Sequence, residues 1–127
     1  MTTEKRKVFI VDDDASVCRA LKCLLVTFGY EVETFLSGQA FFSAVPDSFP
    51  GCLVLDINMP GLDGFEVQRR LALVGSKRQI IIITADKEGG FRERAMQAGA
   101  VGFLVKPFND QELINLLNQA FNTEVMI

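Results

Sequence analysis

A chain of 127 residues is long enough to bury one hydrophobic core and short for two. Its hydrophobic fraction of 49% argues against disorder, and a net charge of −3 gives no electrostatic support to direct nucleic-acid binding. No apolar run approaches the roughly 18 residues of a membrane span, and the basic stretch TEKRK is followed only by VFIV, too short for a signal-peptide core, so a cytoplasmic domain without a membrane partner is expected.

The elements follow in order. KVFIV (7–11) reads as a strand. Residues 15–28 carry Val17, Ala20, Leu21, Leu24, Leu25 and Phe28 at helical spacing, and Gly29 ends that helix. YEVETF (30–35) alternates, with Glu31 and Glu33 on one face, which suits an edge strand. Ser37 can cap a short helix through about Val45, and Pro46 and Pro50 mark the loop after it. CLVLD (52–56) is apolar throughout until its last residue, as a central strand would be. After a Pro-Gly turn, a helix from about Gly64 presents Val67, Leu71 and Val74 on one face. QIIIITA (79–85) is a second central strand. A helix over about 90–98 ends at Gly99, and VGFLV (101–105) is the fifth strand. The last helix, about 110–121, carries Leu113, Leu116, Leu117, Ala120 and Phe121 on one stripe. Five strands alternating with five helices predict an α/β fold: a parallel sheet covered on both faces.

Cys18, Cys23 and Cys52 are an odd, scattered set and read as reduced packing residues rather than a disulfide framework. The sequence contains no histidine, which excludes a histidine-based zinc site or general base.

Open α/β sheets bind ligands beyond the carboxyl ends of their strands, where strand order reverses. In the order 2-1-3-4-5 that point lies between the first and third strands. Asp12 and Asp13 follow strand one, Asp56 closes strand three, Thr84 ends strand four and Lys106 follows strand five. Three carboxylates converging on one rim repel each other, and a hard cation such as Mg²⁺ relieves them. Metal, Lys106 ammonium and Thr84 hydroxyl together form a cradle for a phosphoryl group, with Asp56 as nucleophile.

Each residue has a plainer reading when taken singly. Asp14 is a helix N-cap, Asp12 and Asp13 are turn carboxylates, and Asp56 caps the turn before MPG. Thr84 is a good strand residue and Lys106 a solvated lysine. Asp63 and Gly64 are turn and helix-start residues, and Gly89-Gly90 loosens a loop. The joint pattern favours the site.

VDDD (11–14), LVLDINMPGLDG (53–64), IIITAD (81–86) and AGAVGFLVKPF (98–108), in this spacing, resemble the receiver domain of bacterial two-component response regulators, of the kind attached to LuxR-type helix-turn-helix transcription factors. The likeness spans about residues 7–121. It implies a doubly wound (βα)5, flavodoxin-like (CheY-like) fold with sheet order 2-1-3-4-5. By the same resemblance, Asp56 accepts phosphate from a phosphohistidine on a sensor histidine kinase. Asp13 ligates Mg²⁺ directly, Asp12 acts largely through water, and the backbone carbonyl of Asn58 completes the protein's share of the shell. Lys106 pairs with one phosphoryl oxygen and Thr84 swings in to another. Phe103 takes the aromatic switch position, turning inward without the hydroxyl that tyrosine would bring. Ala85 leaves room for the kinase, and Lys106–Pro107 is cis. Asn58 and Asp86 influence phosphoryl lifetime at the pocket mouth. The face of helix four, strand five and helix five is expected to shift and to homodimerise, controlling a transcriptional output. The domain occupies 1–121 with a tail over 122–127, and the chain is expected to be either a single-domain regulator or a receiver excised from a longer one.

Three rivals are weighed. A haloacid-dehalogenase-like phosphatase would also use Asp56 as nucleophile, but it needs a second aspartate two residues on, where Asn58 stands, and a metal-binding Asp pair late in the chain. A nucleotide or flavin module would need a glycine-rich first turn, and VDDDAS is acidic. A degenerate receiver acting only as a docking platform is at odds with the intact Asp, Thr and Lys set.

Overall fold

A computed structural model describes residues 6–85 and 90–125. Strands and helices alternate from end to end: β1 (Lys7–Val11), α1 (Ala15–Thr27), β2 (Glu31–Phe35), α2 (Gly38–Ala44), β3 (Cys52–Asp56), α3 (Gly64–Leu73), β4 (Ile80–Thr84), α4 (Phe91–Gln97), β5 (Gly102–Val105) and α5 (Asp110–Val125). The five strands are all parallel, as the alternating pattern predicts, and in the order β2-β1-β3-β4-β5 that the resemblance implies. Among the described residues no helix is long and apolar enough to cross a membrane.

Local chemistry accounts for most boundaries. Every residue of β3 and β4 is buried, as strands covered on both faces must be. At the β2 edge, Val32 is buried while Glu31 and Glu33 face out, and Glu33 pairs with Lys7 at 2.9 Å. Four helices begin at side-chain caps, α5 among them, where Asn109 accepts from the Gln111 amide at 2.7 Å. Asp14 accepts from the amides of Ser16 and Val17, Ser37 from Ala40, and Asp63 from Glu66.

The pleat divides the interior in two. Val8, Ile10, Val54, Ile81 and Ile83 pack with Leu25, Leu113 and Leu117 on the α1–α5 side. Phe9, Val11, Leu53, Leu55 and Ile82 pack with Phe41, Val67, Leu71 and Phe103 on the α2–α4 side. A fully buried leucine such as Leu113 contributes roughly 2 kcal/mol.

Several sequence-based expectations are corrected. Val74 is not on the buried face of α3; it is the C-cap and is 58% exposed. Phe28, at the C-cap of α1, is likewise half exposed. In both cases the next residue, Gly75 or Gly29, takes a positive φ that turns the chain away from the helix. Cys23 is exposed rather than packed, whereas Cys18 and Cys52 are buried, and none of the three is in a disulfide. Helix α5 continues to Val125, so part of the segment expected as a tail is helical. Asp86 and Gly89 lie outside the described residues.

Candidate functional site

Asp12 leaves β1 with its amide donating to the Phe35 carbonyl at 3.1 Å. Its side chain is fully buried, and one carboxylate oxygen accepts from the Asp14 amide at 2.9 Å. The neighbouring Cys18 thiol donates to the Asp12 carbonyl at 3.3 Å. The order β2-β1-β3 sets β3 beside β1, with Val11 opposite Leu55, so Asp56 projects at the same rim and is only 4% exposed. Lys106 follows β5, which lies beside β4; its amide donates to the Thr84 carbonyl at 2.7 Å, and its bond to Pro107 is cis. Strand order thus brings together residues up to 94 positions apart.

The carboxylates of Asp12, Asp13 and Asp56 each offer an oxygen within 4.8 Å of the others. The Lys106 ammonium donates to Asp12 Oδ2 at 2.7 Å and stands 3.6 Å from Asp56 Oδ1. With all groups ionised, one cation faces three anions. Burial, and then the charge of Asp12, push the Asp56 carboxyl up to about 6 against the opposing pull of Lys106. Burial on its own would lower the Lys106 pKa, but its hydrogen bond to Asp12 and the charge of Asp56 outweigh that, and it is raised.

The donor set tests well against a hard divalent cation. It is all oxygen, negative in excess, and close enough for carboxylates to share an ion. The exposed Asp13 and the rim-facing Asp56 are the freer ligands, because both oxygens of Asp12 already accept hydrogen bonds.

The structure thus joins Asp12, Asp13, Asp56 and Lys106 directly. Thr84 is fully buried at the end of β4, one position past Ile83, the register partner of Asp56. Asn58 is exposed between buried Ile57 and Met59, and Ala85 is exposed after β4. Phe103 is 8% exposed and already turned into the α2–α4 core, with the Arg92 guanidinium 5.9 Å from its ring. By sequence alone Gly64 reads only as a helix-start residue. Its amide donates to the Ile57 carbonyl at 2.8 Å, and a Cβ there would lie 2.7 Å from the carbonyl oxygen of Asp56. Only glycine lets α3 sit this close to the site, and the GLDG turn leading into a helix was the available signal.

Residues 8–118 match the family described as the response regulator receiver domain. The chain is 37% identical over 120 residues to the response regulator protein TmoT of Ectopseudomonas mendocina, covering 94% of this chain and 54% of that protein. It is 39% identical over 118 residues to the transcriptional regulatory protein FixJ of Bradyrhizobium diazoefficiens, covering 93% and 58% respectively. It therefore spans a little over half the length of these relatives. The solved structure of the response regulator StyR superposes with a TM-score of 0.88 at 42% identity, over 94% of this chain and 61% of that one. The acidic cluster at the strand ends and a family match over nearly the whole domain converge: the chain belongs to the response regulator receiver domains, the signal-receiving modules of two-component systems.

Proposed function

We propose that Asp56 is the phosphoryl acceptor of a phosphorylation-controlled switch. The observation that carries this is the buried carboxylate of Asp56 lying beside two further carboxylates and 3.6 Å from the Lys106 ammonium. An Asp56 oxygen attacks the phosphorus of a phosphohistidine on a sensor histidine kinase. The P–N bond breaks with its electron pair on the imidazole nitrogen, and an aspartyl phosphate forms. Asp13, Asp56 and the backbone carbonyl of Asn58 would hold Mg²⁺, with Asp12 acting through water. When bound, the ion neutralises charge on the phosphoryl oxygens. Lys106, anchored by Asp12, is positioned to pair with one phosphoryl oxygen, and the Thr84 hydroxyl with another. Phosphorylation adds roughly two negative charges. Lys106 and Thr84 follow them, and the α4-β5-α5 face carrying Phe103 shifts. That face then controls homodimerisation or an output domain, supporting a role in transcriptional regulation. DNA contact would belong to the output domain rather than to this acidic module.

Intact mass spectrometry after incubation with acetyl phosphate and Mg²⁺ tests the assignment. One phosphoryl adduct is expected in wild type and none in Asp56→Asn. An adduct surviving in that variant, or none in wild type, would defeat it.

A further inference from the structure

The short helix α4 is held in an unusual way. Of its seven residues only Ala95 is buried, and its N-cap, Gly90, makes no side-chain cap hydrogen bond. Deep apolar burial therefore does little to fix its position. Its side-chain attachments run to β5, where the Arg92 guanidinium lies 5.9 Å from the Phe103 ring, and to α3. The Gln68 amide donates to the Ala95 carbonyl at 3.1 Å, bridging α3 and α4. The Arg94 guanidinium lies 3.9 Å from the centroid of the Phe65 ring, and Phe91 meets the same ring edge-on at 5.4 Å.

Gln68 is the telling residue. It is 1% exposed, and its side-chain oxygen Oε1 has no hydrogen-bond partner. A buried amide oxygen without a donor is costly. Methionine, of similar length, would fill the space with no orphaned atom, so stability alone does not call for glutamine here. What glutamine adds is one directional bond to α4.

The other end of α3 rests on the phosphorylation site. The Gly64 amide bonds the Ile57 carbonyl, and the backbone of Gly64 touches that of Asp56 too closely to admit a Cβ. Phe65 is the next residue. A continuous chain of contacts thus runs from the Asp56 peptide through the first turn of α3 to the groups that grip α4.

We propose that Gln68 and Phe65 form a latch on α3 that holds α4 in the unlabelled position, and that modification of Asp56 releases it through Gly64. The proposal rests on Asp56 being the phosphoryl acceptor. It adds to the Thr84–Phe103 route a second one with different residues. Gln68 and Phe65 are positioning residues in this scheme; they touch no reacting atom. An element with few apolar contacts and one half-satisfied amide can shift at small cost, which is what a two-state element requires.

Hydrogen exchange of the α4 amides in the full chain, with and without acetyl phosphate and Mg²⁺, provides the test. In unlabelled Gln68→Met, exchange over residues 91–97 should rise about fivefold, the effect of one net hydrogen bond, to near the level of labelled wild type. Arg94→Met, at an exposed position, should move it in the same direction. Neither variant should lose the Asp56 adduct, and exchange in β1 and β3 should stay as in wild type. Labelling should then add little further change in α4. Wild-type exchange in unlabelled Gln68→Met, or a full labelling response in both variants, would overturn the latch. Absence of an adduct on wild type would instead remove the Asp56 assignment, while the unlabelled comparison would still judge the latch contact.

Discussion

Replacing Asp56 by asparagine should make the metal-free domain more stable at neutral pH. The carboxyl is nearly inaccessible, and its pKa rises from 3.8 to about 6, first through burial and then through the charge of Asp12. A raised acid pKa means that the folded state holds the proton more tightly than the unfolded chain does. Between about pH 4 and 6 the unfolded chain has released it and the folded chain has not, so stability falls as pH rises across that window. Below the window the cost is absent; above it the cost is complete. A displacement of this size corresponds to about 3 kcal/mol. The attraction of Lys106 at 3.6 Å is already contained in that shift; asparagine keeps the shape and removes the charge, but it leaves a polar amide buried in place of the carboxyl. A gain of roughly 1–2 kcal/mol is therefore expected near pH 7.5, shrinking to nothing near pH 4. Urea unfolding of both proteins in the presence of a chelator measures it. Millimolar Mg²⁺ should close the gap by stabilising wild type more than the variant. A variant no more stable than wild type near pH 7.5, or one equally favoured at both pH values, would refute the electrostatic reasoning.

Other outcomes follow from the same geometry. Lys106→Met leaves the buried Asp12 carboxylate without its cation and should cost about 3 kcal/mol near neutral pH in urea unfolding, with the acetyl phosphate adduct also lost. Gly64→Ala drives a methyl group against the Asp56 backbone and should cost roughly 2 kcal/mol while lowering the extent of labelling in intact mass spectra. Arg78 stacks on Phe9 and Phe41 and bonds the Pro46 carbonyl, yet leaves its buried Nε and Nη1 without acceptors. Arg78→Met should stay within about 1 kcal/mol of wild type, whereas Arg78→Ala should lose about 2 kcal/mol with the stem packing, both read from thermal melts.

What the sequence disclosed depended on the range of the interaction. The apolar runs of β3 and β4 declare central strands because burial on both faces leaves no room for alternation. Asp12, Asp56 and Lys106 were legible because each stands just at or past a strand end, and a doubly wound sheet sends all such ends to one rim. Helix ends were less legible. Val74 and Phe28 continue the apolar period one step beyond the last turn, where a glycine with positive φ has already redirected the chain. The extension of α5 past residue 121 carries no stop signal of its own. Gly64, Gln68 and Arg94 were opaque for a different reason. Their importance comes from partners on other elements, and nothing in their own neighbourhoods distinguishes them from an ordinary helix start, a polar helix residue and a surface arginine.

The sheet is also a partition between two materials. On the α2–α4 side the interior is rich in interlocking rings, with Phe9, Phe35 and Phe41 in mutual contact. On the α1–α5 side it is mainly aliphatic, and Tyr30 with Phe121 sits at its margin. Each compartment is close-packed on its own side of the sheet, so a local shift is felt first by the side chains it touches. A rearrangement of α4 can therefore be absorbed by one compartment while the other keeps its shape. Whatever binds on α1, away from the α4-β5-α5 face, meets the same contour in either state, and substitutions in opposite compartments should combine additively.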